Sequence, residues 1–141
     1  MKKLNSLLLL FSVFILTSCD PAHNINFINN GSTAVKVTLK IDPKTEDYHL
    51  NQYKTGDSIV FNLKPALTED NQYQMSFGIG TWHEKEMIEV SNSIKSIEIE
   101  NINYKIIYKS QYSIAKVLSQ NRKGYWMRTD IDFNINDDLL N

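Results

Sequence analysis

The stretch Val35-Lys36-Val37-Thr38-Leu39-Lys40-Ile41 alternates aliphatic and polar residues without a break. On a strand, successive side chains point to opposite faces, so Val35, Val37, Leu39 and Ile41 share one face while Lys36, Thr38 and Lys40 share the other. One face suits a core and the other suits water, as in an antiparallel sheet packed on one side. Neighbouring segments repeat the pattern. Asn24 to Asn29 carries Ile25 and Phe27 on one side, and Asn29-Asn30-Gly31-Ser32 supplies turn residues, so this segment and Val35 to Ile41 read as a hairpin. Gly56-Asp57 leads into Ile59, Phe61 and Leu63, a strand that Pro65 ends by removing a ladder donor. Tyr73, Met75, Phe77 and Ile79 repeat the alternation as far as Gly78 and Gly80, where missing side chains predict a bulge or a close backbone approach.

Further along, Glu86 to Val90, Ile94 to Glu100 and Asn103 to Lys109 are rich in Ile and Tyr and read as strands. Ser113 to Asn121 fits a short helix, with Ile114, Val117 and Leu118 at helical spacing and Ser113 as the cap, and fits a strand equally. From Tyr125 to Ile135 the alternation returns, with Tyr125, Met127, Ile131, Phe133 and Ile135 inward and Trp126, Arg128, Asp130, Asp132 and Asn134 outward. About eight short strands separated by turns predict a mainly β fold: an antiparallel β-sandwich of immunoglobulin-like type or a partly open barrel, with the one short helix near 113–121.

Composition sets the class. With 42% hydrophobic and 22% charged residues, the chain of 141 residues has enough apolar material for one folded domain and little room for a second. Positions 1–18 contribute Lys2 and Lys3 and no acid, so the remainder holds 13 of the 15 bases and all 16 acids, a net charge of −3. That balance offers no basic footprint for nucleic acid. The lone cysteine, Cys19, has no internal disulfide partner.

Lys2 and Lys3 precede the apolar run Leu7 to Leu16, which has the length of an export signal and is shorter than the ~20 residues of a membrane span. Leu16-Thr17-Ser18-Cys19 follows directly and resembles the lipobox of bacterial lipoproteins. The resemblance implies a signal peptide over 1–18 that is removed, a diacylglycerol thioether on Cys19 and an N-acyl chain such as palmitate on its new amino terminus. Positions 19–23 then form a lipidated tether and 24–141 a single β-rich domain. Two or three acyl chains make such an anchor lasting. Asp20 resembles the inner-membrane retention signal of enteric bacteria, and the acidic run of surface-exported Bacteroidota lipoproteins is missing. A periplasm-facing protein on the cell membrane or outer membrane is therefore expected. Cys19-Asp20-Pro21 and the strand pattern also resemble small lipoproteins of Bacteroidota, and Asp57-Ser58-Ile59 resembles their short O-glycosylation motif. With Asp20 to His23 as tether, the domain should stay within roughly 15 Å of the lipid.

Chemistry-bearing residues are few. Trp82-His83-Glu84-Lys85-Glu86, read as a loop, offers a base, acids and an aromatic. A zinc metalloprotease motif needs a second histidine one helical turn after His83, where Met87 stands. His23 and His49 lie far from it in sequence, so no metal site is expected and no cofactor beyond the acyl groups on Cys19. Asp130 and Asp132 share a strand face, but glycosidase carboxylates flank a cleft. Asp130-x-Asp132-x-Asn134 lacks the glycine and glutamate of a calcium loop. Nucleophile elbows, phosphate loops and Cys-x-x-Cys pairs are absent. The outward row Trp126, Arg128, Asp130 and Asp132, joined by Trp82 and His83, is the expected binding surface, since Trp and Arg carry much interface energy. The sequence thus predicts a non-enzymatic, membrane-anchored module binding an envelope protein or a glycan. Two alternatives are an inhibitor or immunity protein presenting a protruding Trp82 to Glu86 loop to a periplasmic hydrolase, and a hydrolase using His83 with nearby carboxylates.

Overall fold

The computed structural model describes residues 21–45, 47–124 and 129–138. It is a two-layer β-sandwich. One sheet has the strand order β4-β1-β8-β7 and the other β3-β2-β5-β6. Strands β1 (Ala22–Asn29), β2 (Val35–Ile41), β3 (Ser58–Leu63) and β4 (Gln72–Ile79) are followed by β5 (Ile94–Glu100), β6 (Lys105–Tyr108), β7 (Arg122–Lys123) and β8 (Asp130–Ile135). Helices α1 (Tyr48–Asn51), α2 (Glu84–Ser93) and α3 (Gln111–Asn121) lie between them. The inward residues of both sheets, among them Ile25, Phe27, Val37, Leu39, Phe61, Met75, Ile97, Ile131 and Phe133, form one core. Phe27 of one sheet meets Phe61 of the other edge-on at 5.2 Å, and Phe61 stacks on Tyr73 at 4.0 Å.

The alternation in Val35 to Ile41 is realised as read, but the expected hairpin with Asn24 to Asn29 is not formed. β1 and β2 belong to different sheets. β2 pairs with β3 and β5, and β1 pairs with β4 and, in parallel, with β8. Asn29 explains the crossing. Its fully buried side chain donates to the carbonyls of Thr33 and Lys64, both at 2.8 Å, and accepts from the N–H of Gly31 at 2.9 Å. These bonds tie β1, the 30–34 link and the end of β3 into a corner, where a hairpin would keep both strands in one sheet. Gly31 suits that corner, because a Cβ there would lie 2.5 Å from the Asp137 carboxylate.

Glu86 to Val90, expected as a strand, is helical. It lies within α2, with Met87, Val90 and Ser91 buried at helical spacing. Glu86 at the third helical position turns its carboxylate back to the His83 N–H at 3.1 Å, half of a capping box that fixes the start of the helix. The segment 113–121 is helical, as one of its two readings had it. The cap is Ser110 instead of Ser113: its hydroxyl accepts from Ser113 N–H at 3.0 Å, and Ser113 Oγ accepts from Ser110 N–H at 3.2 Å. Ile114, Val117 and Leu118 face the core. Of the expected strand 125–135, β8 forms with Ile131, Phe133 and Ile135 inward. Positions 125–128 lie outside the described residues.

The bulge expected at Gly78 is present. Ala22 pairs with Ile79 and Asn24 with Ser76, so β4 spends three residue steps where β1 spends two. Gly78 and Gly80 both take positive φ, +94° and +141°. The extra residue reverses the alternation, and Ile79, expected inward, is exposed. Beyond the bulge, Gly80 N–H donates to the carbonyl of Pro21 at 2.7 Å. The start of β1, the end of β4 and the start of α2 are thereby brought together.

Candidate functional site

That corner of the sandwich holds a cleft of about 220 Å³ lined by His23 from β1, Asp47 and His49 at α1, Phe77 from β4, Trp82, and Glu86, Glu89 and Val90 of α2. A larger groove of about 420 Å³ between α2 and α3 is mostly apolar, with Met87, Ile88, Tyr112 and Ala115 in its walls. The smaller cleft is the better candidate because polar side chains from three chain segments, β1, α1 and α2, converge on it.

Trp82 sets its floor. The indole is 2% exposed, with Phe77 at 4.9 Å and the edge of His23 at 4.7 Å between ring centroids. Its N–H donates to the Asn24 carbonyl at 3.1 Å, its main-chain N–H to Thr129 Oγ1 at 2.7 Å, and its carbonyl accepts from Arg122 at 3.1 Å. Trp82 was expected on a binding surface and instead plugs the end of the core, because the chain leaving the β4 bulge crosses directly over that opening. The protruding loop required of an inhibitor over Trp82 to Glu86 is therefore not formed: its first residue is buried, and Glu84 begins a helix.

His23 is nearly enclosed, and among the described residues its Nδ1 has no hydrogen-bond partner. Burial holds its pKa below the ordinary imidazole value, against the opposing pull of Glu86. A protonated ring would leave a buried Nδ1–H donor unpaired, which favours the neutral form as burial does. Asp47 Oδ1 accepts from the N–H groups of His49 and Leu50, which caps α1 and holds the His49 ring against Phe77 at 5.5 Å. Glu86 Oε2 holds the His83 N–H, and Glu89 lies 3.8 Å from Lys85 along α2. Among the described residues the lining thus contains three carboxylates and no Lys or Arg. Among the described residues no group of three or more His, Cys, Asp or Glu is placed to hold a metal ion.

The described members of the expected binding surface do not share one exposed face, since Trp82 and Asp130 are buried. His83 is an exposed residue at the start of α2, its Nε2 3.2 Å from Thr81 Oγ1, and it does not line the cleft. Asp130, expected in the outward binding row, is buried: its Oδ1 accepts from the Asn24 main-chain N–H at 3.2 Å and Asn24 Nδ2 at 3.1 Å. Asp132 accepts from Asn26 Nδ2 at 2.8 Å. The two carboxylates belong to an Asn–Asp ladder along the parallel β1–β8 pair, in which Asn26 stands opposite Asp132, Ile25 opposite Ile131 and Phe27 opposite Phe133. The sequence held this signal: Asn24-Ile25-Asn26-Phe27 and Asp130-Ile131-Asp132-Phe133 share one pattern, with amides in the first and acids in the second. Trp126, Arg128 and Cys19 lie outside the described residues. His23 and His49 were read as isolated, and only the folding of α1 and α2 joins them with Glu86.

The fold and cleft define a small β-sandwich module whose open end is closed by short helices. No family model, curated protein or solved structure matches the chain.

Proposed function

We propose that the mature chain is a non-catalytic binding module of the bacterial cell envelope, held on the periplasmic side of a membrane by lipid on Cys19, with the cleft at His23 as its recognition site. The observation that carries this reading is the cleft itself, in which the described residues supply an enclosed imidazole nitrogen without a partner among them, aromatic walls and three carboxylates around a space that fits one small group of a ligand. Its place in the chain supports the anchor as well, since His23 stands four residues after the lipobox cysteine and β1 begins at Ala22. The carboxylates, with no basic residue beside them among the described lining, favour a positively charged or hydrogen-donating group on the bound protein or glycan.

Two measurements test the proposal. Metabolic labelling with an alkynyl palmitate should mark the wild-type chain in the membrane fraction and leave Cys19→Ala unlabelled. A wild-type protein that is soluble and unlabelled would end the lipoprotein reading. A photo-crosslinking residue at position 49 should give envelope adducts that are not formed from position 107, on the distant edge strand β6. Equal adducts from both positions would remove the cleft as the recognition site.

A further inference from the structure

We infer that the cleft takes a primary ammonium group presented by the membrane in which the chain is anchored, the headgroup of an aminophospholipid such as phosphatidylethanolamine. This deepens the proposed function and rests on its lipid anchor. Reach is the first support. The Pro21 carbonyl is already bonded to Gly80, and β1 starts at Ala22, so only Cys19 and Asp20 separate the acyl chains from the folded domain. From Pro21 back to Cys19 is two residue steps, at most roughly 7 Å, about half the reach expected from sequence. Gly80 in turn abuts His23, since a Cβ on Gly80 would lie 3.5 Å from His23 Nδ1. Pro21, Gly80, His23 and the cleft are consecutive neighbours, so a lipid on Cys19, two residues before Pro21, keeps the cleft close to the lipid headgroups.

Charge and hydrogen bonding are the second support. An ammonium carries three donors and no acceptor. Among the described residues, Asp47 Oδ2 and Glu86 Oε1 have no hydrogen-bond partner, and the other oxygen of each carboxylate is engaged with main-chain N–H groups that fix its position. Phe77 and Trp82 add ring faces and edges beside the acids, where a cation gains attraction from the ring quadrupole. A neutral His23 adds no opposing charge. Size is the third support: about 220 Å³ is below the ~300–1,000 Å³ of sites for larger ligands, so one headgroup fits where an oligosaccharide or folded peptide segment does not. Carboxylate acceptors also separate a primary ammonium, which donates to them, from a quaternary one, which cannot.

The test is native mass spectrometry of the lipidated protein released from mixed micelles holding equal amounts of phosphatidylethanolamine, phosphatidylcholine and phosphatidylglycerol. Phosphatidylethanolamine should be retained about tenfold over phosphatidylcholine, a preference of ~1.4 kcal/mol. In Glu86→Gln the preference should fall to near unity. Glutamine keeps the capping box of α2, so this variant should fold; Glu89→Gln, at the exposed rim of the cleft, should weaken retention without touching a cap. His83→Gln, outside the cleft, should retain the lipid as wild type does. Equal retention of the three lipids, or an unchanged preference in both glutamate variants, would overturn the inference. So would displacement of the adduct by Nα-acetyl-lysinamide as readily as by O-phosphoethanolamine, which would assign the cleft to a protein lysine. The same spectra give the mass of the N-terminus, so a missing acyl group on Cys19 is distinguished from a missing headgroup preference.

Discussion

Replacing Trp82 by Phe separates a structural tryptophan from a surface one. Phe removes roughly 40 Å³ from an enclosed site, and at ~24 cal/mol per Å³ an unrelaxed cavity of that size costs about 1 kcal/mol. It also removes the indole N–H that bonds the Asn24 carbonyl at 3.1 Å, and a buried acceptor left without its donor costs a further ~1–2 kcal/mol. The sum is about 2–3 kcal/mol. For a domain of this length, ~4 °C of Tm per kcal/mol converts it to a fall of roughly 8–12 °C. Urea denaturation followed by far-UV circular dichroism gives the free energy, and a thermal scan gives Tm. An exposed tryptophan on a binding face would change stability by no more than ~0.5 kcal/mol when replaced by Phe. A loss below that value would refute the burial and bonding described for Trp82 and return it to the surface.

Asn29→Ala should cost ~2–4 kcal/mol in urea unfolding, because the carbonyls of Thr33 and Lys64 and the N–H of Gly31 lose partners in the corner between the sheets. Asn29→Asp should be at least as destabilising, since a carboxylate faces two carbonyls with no donor, and a change under ~1 kcal/mol in either variant would refute the corner. Because the folded chain depresses the pKa of His23, the unfolded chain binds its proton more readily. The stability this residue contributes is complete above the ordinary value of 6.5 and is lost as pH falls from there toward the folded value. His23→Phe should flatten that slope above the carboxylate range, a result read from urea midpoints across pH. Ser110→Ala should lower stability by ~1 kcal/mol and Tm by ~4 °C through loss of the α3 cap, with no effect on the cleft.

Strand faces were readable from sequence because alternation reports which side of a strand is buried. Val35 to Ile41, Ile59 to Leu63 and Ile131 to Ile135 all obey it. Pairing partners were not readable in the same way. The segment 30–34 has turn composition whether it folds a hairpin or crosses between sheets, and the difference lies in bonds from Asn29 to residues as distant as Lys64. The α2 segment misled for another reason: Ile88 and Val90 favour strands intrinsically, yet Met87, Val90 and Ser91 are the residues that become buried, and that spacing belongs to a helix. Burial of the helical face against its neighbours outweighed local preference.

The site shows the same division in sharper form. Asp130 and Asp132 were placed on the correct face and given the wrong environment, because alternation identifies a face without identifying what stands beside it. The neighbour is β1, and the reason is chemical: two strands of matched pattern can lie parallel and in register only if the residues brought side by side are compatible. Ile on Ile and Phe on Phe satisfy the inner face, with Phe27 and Phe133 stacked at 4.5 Å. On the outer face Asp against Asp would repel, whereas Asn against Asp supplies a donor for each acceptor. Asn24 and Asn26 therefore do two things at once. They turn a pair of acids that looked like a catalytic or binding row into part of the sheet, and they fix the register of β1. That register sets the position of His23 against Trp82 and, through the bond from Gly80 to Pro21, the point beside the cleft at which the chain enters β1.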